Sequence, residues 1–211
     1  MLLKKSVITI LVVLFLDQLL KIWIKTHFIL GDEIHVAGNW FILHFTENEG
    51  MAFGMKFGGA SGKLILSLFR IVAVGFIGYY LWTLIKSAAS SGLIICMSLI
   101  FAGALGNIID SAFYGLIFNE SYFNVAKAFP PGGGYASFLH GKVVDMLYFP
   151  VISATYPKWF PFWGGDSFLF FRPVFNIADS SISIGVFSLI IFQNRFFTKK
   201  TEEDPQINND I

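Results

Sequence analysis

Four long apolar stretches leave this chain little choice of architecture. Residues 7–24, 64–85, 93–109 and 177–197 run for 18, 22, 17 and 21 residues with few charges among them. A helix needs about 20 apolar residues to cross a hydrocarbon core of about 30 Å. A segment in lipid must also satisfy its own backbone, which makes helix the expected state of all four. Composition agrees: 55% of the 211 residues are hydrophobic and 14% are charged, against roughly 25% charged in a soluble domain. Mean hydropathy is +0.66. A net charge of +1 supplies no field to gather a polyanion, so no nucleic-acid partner is expected. The single cysteine, Cys96, excludes an intramolecular disulfide and a multi-cysteine metal site.

The first stretch, with Lys4 and Lys5 ahead of it, has the outline of a secretory signal peptide. Asp17 and Lys21 interrupt its apolar run and no small-x-small site follows, so a retained helix is expected. Lysine and arginine set orientation. Lys4 and Lys5, the short loop opened by Lys86, and the group Arg195, Lys199 and Lys200 all fall on one side of a four-span chain. That side is expected to be cytoplasmic, with both termini. The expected organisation is one integral-membrane domain over residues 1–200 and a polar cytoplasmic tail over 201–211.

The two long loops, 25–63 and 110–176, then lie outside. In the first, a run rich in aromatic and branched residues from Glu33 to Thr46, with a turn at Gly38-Asn39, reads as a hairpin. An exposed hairpin this apolar would be sticky, and the headgroup region resolves that. The second loop is broken by Pro130-Pro-Gly-Gly-Gly134, and aromatic residues fill its second half. A structureless segment of that length is unusual, so partial order against the membrane surface is expected. The fold class is thus a mostly α membrane protein: four transmembrane helices, a small extracytoplasmic β-hairpin or sheet region, and a long periplasmic-side loop.

Ionisable residues within spans are costly and are the first place to seek function. Asp17 and Lys21 are four apart and share a helix face. A neutralised structural pair is weighed above direct substrate contact. Arg70 reads as a snorkelling residue. The strongest constellation is a set of Asn and Asp residues at the outer ends of the spans. Asn107 and Asp110 close the third, Asn176 and Asp179 open the fourth, and Asp145 sits in an apolar setting between them. Asp179 could serve only as a helix cap, and Asp110 could merely mark a helix end.

Other chemistries find no support. The histidines at 27, 35, 44 and 140 form no metal motif. No serine–histidine pair has a recognisable spacing, and no glycine-rich phosphate loop follows a strand. Neither metal nor cofactor is expected. Two close carboxylates cannot both ionise easily and share one proton. The ionised one can take a proton from water while the protonated one polarises a peptide carbonyl. The alternative is a subunit of a small proton-coupled transporter, with Asp17, Asp110 and Asp179 as a relay. A relay would spread its carboxylates across the bilayer depth, whereas these gather on the outer side. A non-catalytic scaffold would not need three Asn/Asp clusters at one depth.

Five motifs, in order, resemble those of the lipoprotein signal peptidase (signal peptidase II) family, bacterial membrane aspartic proteases. They are Asp17-Gln-Leu-Leu-Lys21, Asn48-Glu-Gly-Met-Ala-Phe-Gly54, Gly103-Ala-Leu-Gly-Asn-Ile-Ile-Asp110, Gly141-Lys-Val-Val-Asp145 and Phe175-Asn-Ile-Ala-Asp179. The resemblance implies an endopeptidase that removes the signal peptide of diacylglyceryl-modified prolipoproteins just before the lipidated cysteine. It implies Asp145 and Asp179 as the catalytic pair, a choice over Asp110 that the residues alone do not make. Asn48, Gly50, Asn107, Asp110, Asn176, Asp17 and Lys21 would bind substrate or shape the site. The implied partners are the prolipoprotein, membrane lipid and globomycin-like inhibitors. The implied setting is a monomer in the bacterial inner membrane with its site on the outer face. Two departures stand out. Ser111 replaces the arginine that usually follows the third motif's Asp, leaving Lys142 or Arg172 to take its place. Insertions fall around residues 116–140 and 150–172.

Overall fold

The computed structural model describes residues 1–49, 59–150, 152–155, 157–170 and 173–197. Helix α1 (Leu2–His27) turns Ser6, Asp17, Lys21, Ile24 and Lys25 inward and leaves Leu3, Leu11, Phe15 and Leu19 outside. A soluble bundle does the reverse; here lipid takes the apolar face. Helix α2 (Gly59–Lys86) likewise exposes Ile65, Phe69, Phe76 and Tyr79. Helix α3 (Ser91–Ile109) starts at an N-cap, Ser90, whose hydroxyl accepts from the Leu93 N–H at 3.4 Å. At Asp110 it widens into a π-helical turn (Asp110–Tyr114) and then closes as α4 (Gly115–Ile117). The helix therefore runs past the end expected at residue 109. π-Bulges of this kind often sit at functional sites.

Three helices among the described residues are long and apolar enough to cross a membrane: Leu2–His27, Ser61–Lys86 and Ser91–Ile117. The expected fourth span, 177–197, is not one helix of that kind. Helix α5 (Ile177–Ile191) is apolar but has only 15 residues. It stops at Phe192, and a separate α6 (Gln193–Phe197) follows. The break falls where Gln193, Asn194 and Arg195 end the apolar run.

Small residues let α5 approach α3 closely. A Cβ on Gly103 would collide with the Ala178 carbonyl oxygen, and one on Gly185 would meet the Cys96 carbonyl oxygen at 2.8 Å. Packing of small residues replaces the hydrophobic effect as the force between helices in lipid. Ser6 and Ser98 share a hydrogen bond of 2.7 Å between α1 and α3.

A four-stranded antiparallel sheet caps one end of the helices in the order β1-β2-β3-β6: β1 (Glu33–Ala37), β2 (Phe41–Asn48), β3 (Val143–Tyr148) and β6 (Val174–Phe175). The expected hairpin is β1–β2, turning through Gly38 at φ +52°. Strand β2 runs on to pair Thr46 with Asp145 and Asn48 with Val143. Beneath the sheet Ile24, Phe28, Phe45, Tyr114, Phe118, Val144 and Met146 form a core. The insertion around 116–140 is ordered and packs into this core through Phe118 and Ala126. The other insertion forms a separate hairpin, β4 (Ile152–Thr155) with β5 (Ser167–Phe170).

Candidate active site

The inward face of α1 carries its polar residues one helical turn apart, which stacks them toward α3. Lys21 Nζ lies 3.0 Å from Asp17 and 2.7 Å from Asp110, and donates to Asn107 Oδ1 at 2.9 Å. Gln18 donates to the second oxygen of Asp110 at 2.9 Å and accepts from the Tyr114 hydroxyl at 3.1 Å. Asp17, Lys21 and Asp110 are fully buried, so the cluster persists only because each charge has a counter-charge and hydrogen bonds. Asp17 also reaches α5, accepting from the Ala178 N–H at 2.8 Å. Asn176 caps the same helix, its Oδ1 accepting from the Asp179 N–H at 2.8 Å. The start of α5 is thus held by its own cap and by α1.

Those two caps place Asp179 opposite Asp145 on β3. Asn176 Nδ2 donates to Asp145 Oδ1 at 2.7 Å, with further contacts to Asn107 Oδ1 at 3.2 Å and the Val144 carbonyl at 3.3 Å. Asn107 donates to Asp179 Oδ1 at 2.8 Å. A second asparagine, Asn48 at the end of β2, also hydrogen-bonds Asp145. Asp145 is only 4% exposed. Burial, and then the negative charge of Asp179, push its carboxyl from 3.8 up to about 7, against the opposing pull of Lys21 and the two asparagines. Asp110 is turned elsewhere: it is spent on Lys21, Gln18 and the Val144 N–H at 3.3 Å. One cluster therefore gathers Asp17, Lys21, Asn48, Asn107, Asp110, Asn176, Asp145 and Asp179. Gly50 lies outside the described residues, as does Arg172.

Position 111 and its neighbours are tightly packed. The Ser111 hydroxyl donates to the Asn107 carbonyl at 3.0 Å, and its own carbonyl accepts from the Gly141 N–H at 2.8 Å. A Cβ on Gly141 would press into the Asp110 carbonyl oxygen, so this junction needs glycine. Lys142 faces away from the carboxylate pair, toward Glu47 at 3.4 Å and Glu120 at 3.1 Å. Burial works against its charge, but the two glutamates outweigh it and hold its ammonium above the ordinary lysine range.

Three participants escape a reading of the sequence alone. Gln18 sits inside the first motif, yet carries no charge to mark it. Lys25 is fully buried and paired with Glu47 and with the Ser121 hydroxyl at 2.9 Å. Its spacing from Asp17 and Lys21 was the available signal, because residues 17, 21 and 25 share one face. Arg70, half-buried on α2 and expected only to snorkel, acts electrostatically on Asp179, Asp145 and Asp110.

Two acidic groups held by amides, one with its proton retained near neutrality, can perform acid–base hydrolysis. The signal peptidase (SPase) II family matches residues 9–195. The lipoprotein signal peptidase of Porphyromonas gingivalis is 53% identical over 189 residues, covering 88% of this chain and 82% of the relative. That of Amoebophilus asiaticus is 39% identical, covering 88% and 75%. A solved bacterial membrane enzyme superposes with a TM-score of 0.59 at 26% identity, over 95% of this chain and 94% of that one.

Proposed function

The chain belongs to the signal peptidase II family, and on that premise we propose that Asp145 and Asp179 are its catalytic pair. Membership makes it a multi-pass membrane protein and an aspartic-type endopeptidase of lipoprotein processing. The observation that carries the finer assignment is the asparagine bridge: Asn176 binds Asp145 at 2.7 Å while capping the helix turn that bears Asp179.

Asp145, with its carboxyl at about 7, carries the shared proton. Asp179 takes a proton from water as the water oxygen bonds to the scissile carbonyl carbon. Asp145 gives its proton to the carbonyl oxygen, forming a neutral tetrahedral diol. As the C–N bond breaks, Asp179 passes its proton to the leaving amine and the diol returns one to Asp145. Asn107, donating to Asp179 at 2.8 Å, keeps that carboxylate oriented throughout.

The substrate of this reading is a diacylglyceryl-modified prolipoprotein, cut just before the lipidated cysteine by a monomer. Asn48, Gly50, Asn107, Asp110, Asn176, Asp17 and Lys21 shape the site, and globomycin-like peptides would compete for it. Four spans in the inner membrane, both termini inside, form one domain over 1–200 with a cytoplasmic tail. Support for the fourth span comes from α5 and α6 following α3 along its length: Ala178 packs on Gly103, and Phe196 lies against Gly92 near the other end.

Asp145→Asn and Asp179→Asn should each lower cleavage of a lipidated prolipoprotein by at least about a thousandfold in a membrane preparation, with the protein still folded. Retained turnover in either variant would reject the pair. Equal cleavage of the unlipidated precursor would reject the lipid requirement.

A further inference from the structure

The insertion after α4 builds a second feature that the carboxylate site does not use. Asn119, Glu120, Tyr122, Phe123, Asn124 and Tyr135 line an open cleft of about 490 Å³. Its walls are fixed. Phe118 bridges to Ala128, the Tyr135 N–H donates to the Phe118 carbonyl at 2.9 Å, and the Ala136 N–H donates to the Gly115 carbonyl at 2.9 Å. Gly134 packs so closely on the Gly115 carbonyl that no side chain fits there. The floor is tied to the end of α1: the buried Ser121 accepts from Lys25 Nζ, and its carbonyl accepts from the Leu30 N–H at 2.9 Å.

The lining is that of a peptide subsite. Tyr122 is half-exposed and Phe123 is 89% exposed, so both rings are open to contact from a chain lying in the cleft. The backbone of Tyr122, Phe123 and Asn124 makes no hydrogen bond to other described backbone, so its amides and carbonyls are available to an extended chain. Glu120 is already neutralised by Lys142, which also stacks over the rings of Tyr122 at 4.7 Å and Tyr135 at 5.1 Å. The cleft thus offers aromatic faces, carboxamides and open peptide groups with little net charge.

Lys142 gives the position relative to the reaction. It stands three residues before Asp145 in a chain that becomes β3, a separation of about 10 Å at 3.3 Å per residue. A chain leaving the scissile bond spans that distance, plus the reach of a lysine, in about three to five extended residues. Of the two arms of a prolipoprotein, the signal sequence belongs to the bilayer; only the mature arm runs out over the sheet. We propose that this cleft binds the first residues of the mature lipoprotein, centred on the third to fifth positions after the lipidated cysteine. The proposal rests on the peptidase reading above.

Two synthetic diacylglyceryl prolipopeptides test it with the full-length enzyme: one ends at the cysteine amide, the other continues for eight uncharged mature residues. The long substrate should show the lower KM in the wild type. In Tyr122→Ala/Phe123→Ala the long-over-short ratio of kcat/KM should fall by about tenfold, the scale of two lost aromatic contacts, and the loss should appear in KM. The short substrate, assayed on the same preparation, corrects for the amount of folded enzyme. A photoreactive residue at the fourth position should crosslink within residues 119–135. Equal kcat/KM for the two substrates in the wild type would overturn the subsite and leave the peptidase reading intact. Equal losses on both substrates in the variant would make the cleft a scaffold and overturn it as well. Failure of the wild type to cut either peptide would overturn the peptidase reading itself, and the subsite with it.

Discussion

Asp145 carries a cost to stability that rises with pH. Its carboxyl rises from 3.8 to about 7 on folding, by burial first and the Asp179 charge second. A group with a raised folded value stabilises the fold below its unfolded value, and that contribution is lost as pH climbs through the folded one. Between about pH 4 and pH 7 this residue therefore makes the wild type progressively less stable. Asp145→Asn removes the penalty and keeps an oxygen to accept from Asn176. The variant should unfold at a higher temperature than the wild type at pH 8, by the equivalent of about 2 kcal/mol, and show no advantage at pH 4. Thermal melts at the two pH values read this directly. Lys21 behaves oppositely. Its ammonium pairs with both Asp17 at 3.0 Å and Asp110 at 2.7 Å. Lys21→Met strands two buried carboxylates and should cost about 3–5 kcal/mol, measured by the same melts.

At the scale of elements, the contact of α3 with α5 controls the site, because α5 carries Asn176 and Asp179 at its start. Gly103 is its tightest point, where a Cβ would meet the Ala178 backbone. Gly103→Leu should push the start of α5 away from Asn107, lower stability by about 1–3 kcal/mol and abolish cleavage, whereas Gly132→Ala, with open space around it, should change neither. A melting curve and a turnover assay separate the two variants. How far these elements were legible follows from their physics. Hydropathy located α1, α2 and α3, because lipid demands a continuous apolar run. It extended the fourth segment too far, since a sum over residues does not register the backbone turn at Phe192. The β1–β2 hairpin was readable from Gly38-Asn39, a local turn signal. The pairing of β2 with β3 was not, because a bulge between Leu43 and Thr46 resets the register that brings Thr46 beside Asp145. The π-helical turn at Asp110 has no signature in residue type at all.

For the whole molecule, the members of the buried polar cluster were legible because charge is scarce: with 14% charged residues, each Asp or Asn near a span end stood out. Their partition was not. What separates Asp145 from Asp110 appears only in three dimensions, where Lys21 and Gln18 occupy Asp110 and Asn176 donates to Asp145. The ends of α1 and α3, the start of α5 and the sheet all lie together, and the proposed orientation puts this end outside. Single cysteines introduced at Asn124 and at Lys4, in a Cys96→Ser background, test it. A membrane-impermeant maleimide added to intact spheroplasts should label Asn124→Cys and not Lys4→Cys, and the reverse pattern would reject the orientation. The bond from Asp17 to Ala178 spans 161 residues, and this separation sets an order in time. At about 5–20 residues per second, ribosomal synthesis delivers α5 roughly 8–30 s after α1. During that interval Lys21, one turn away, is the counter-charge of Asp17, so residues 7–24 enter the bilayer with no net charge. A chain stalled before residue 176 has neither Asn176 nor Asp179, so on the proposed reading it lacks the carboxylate pair until α5 has emerged.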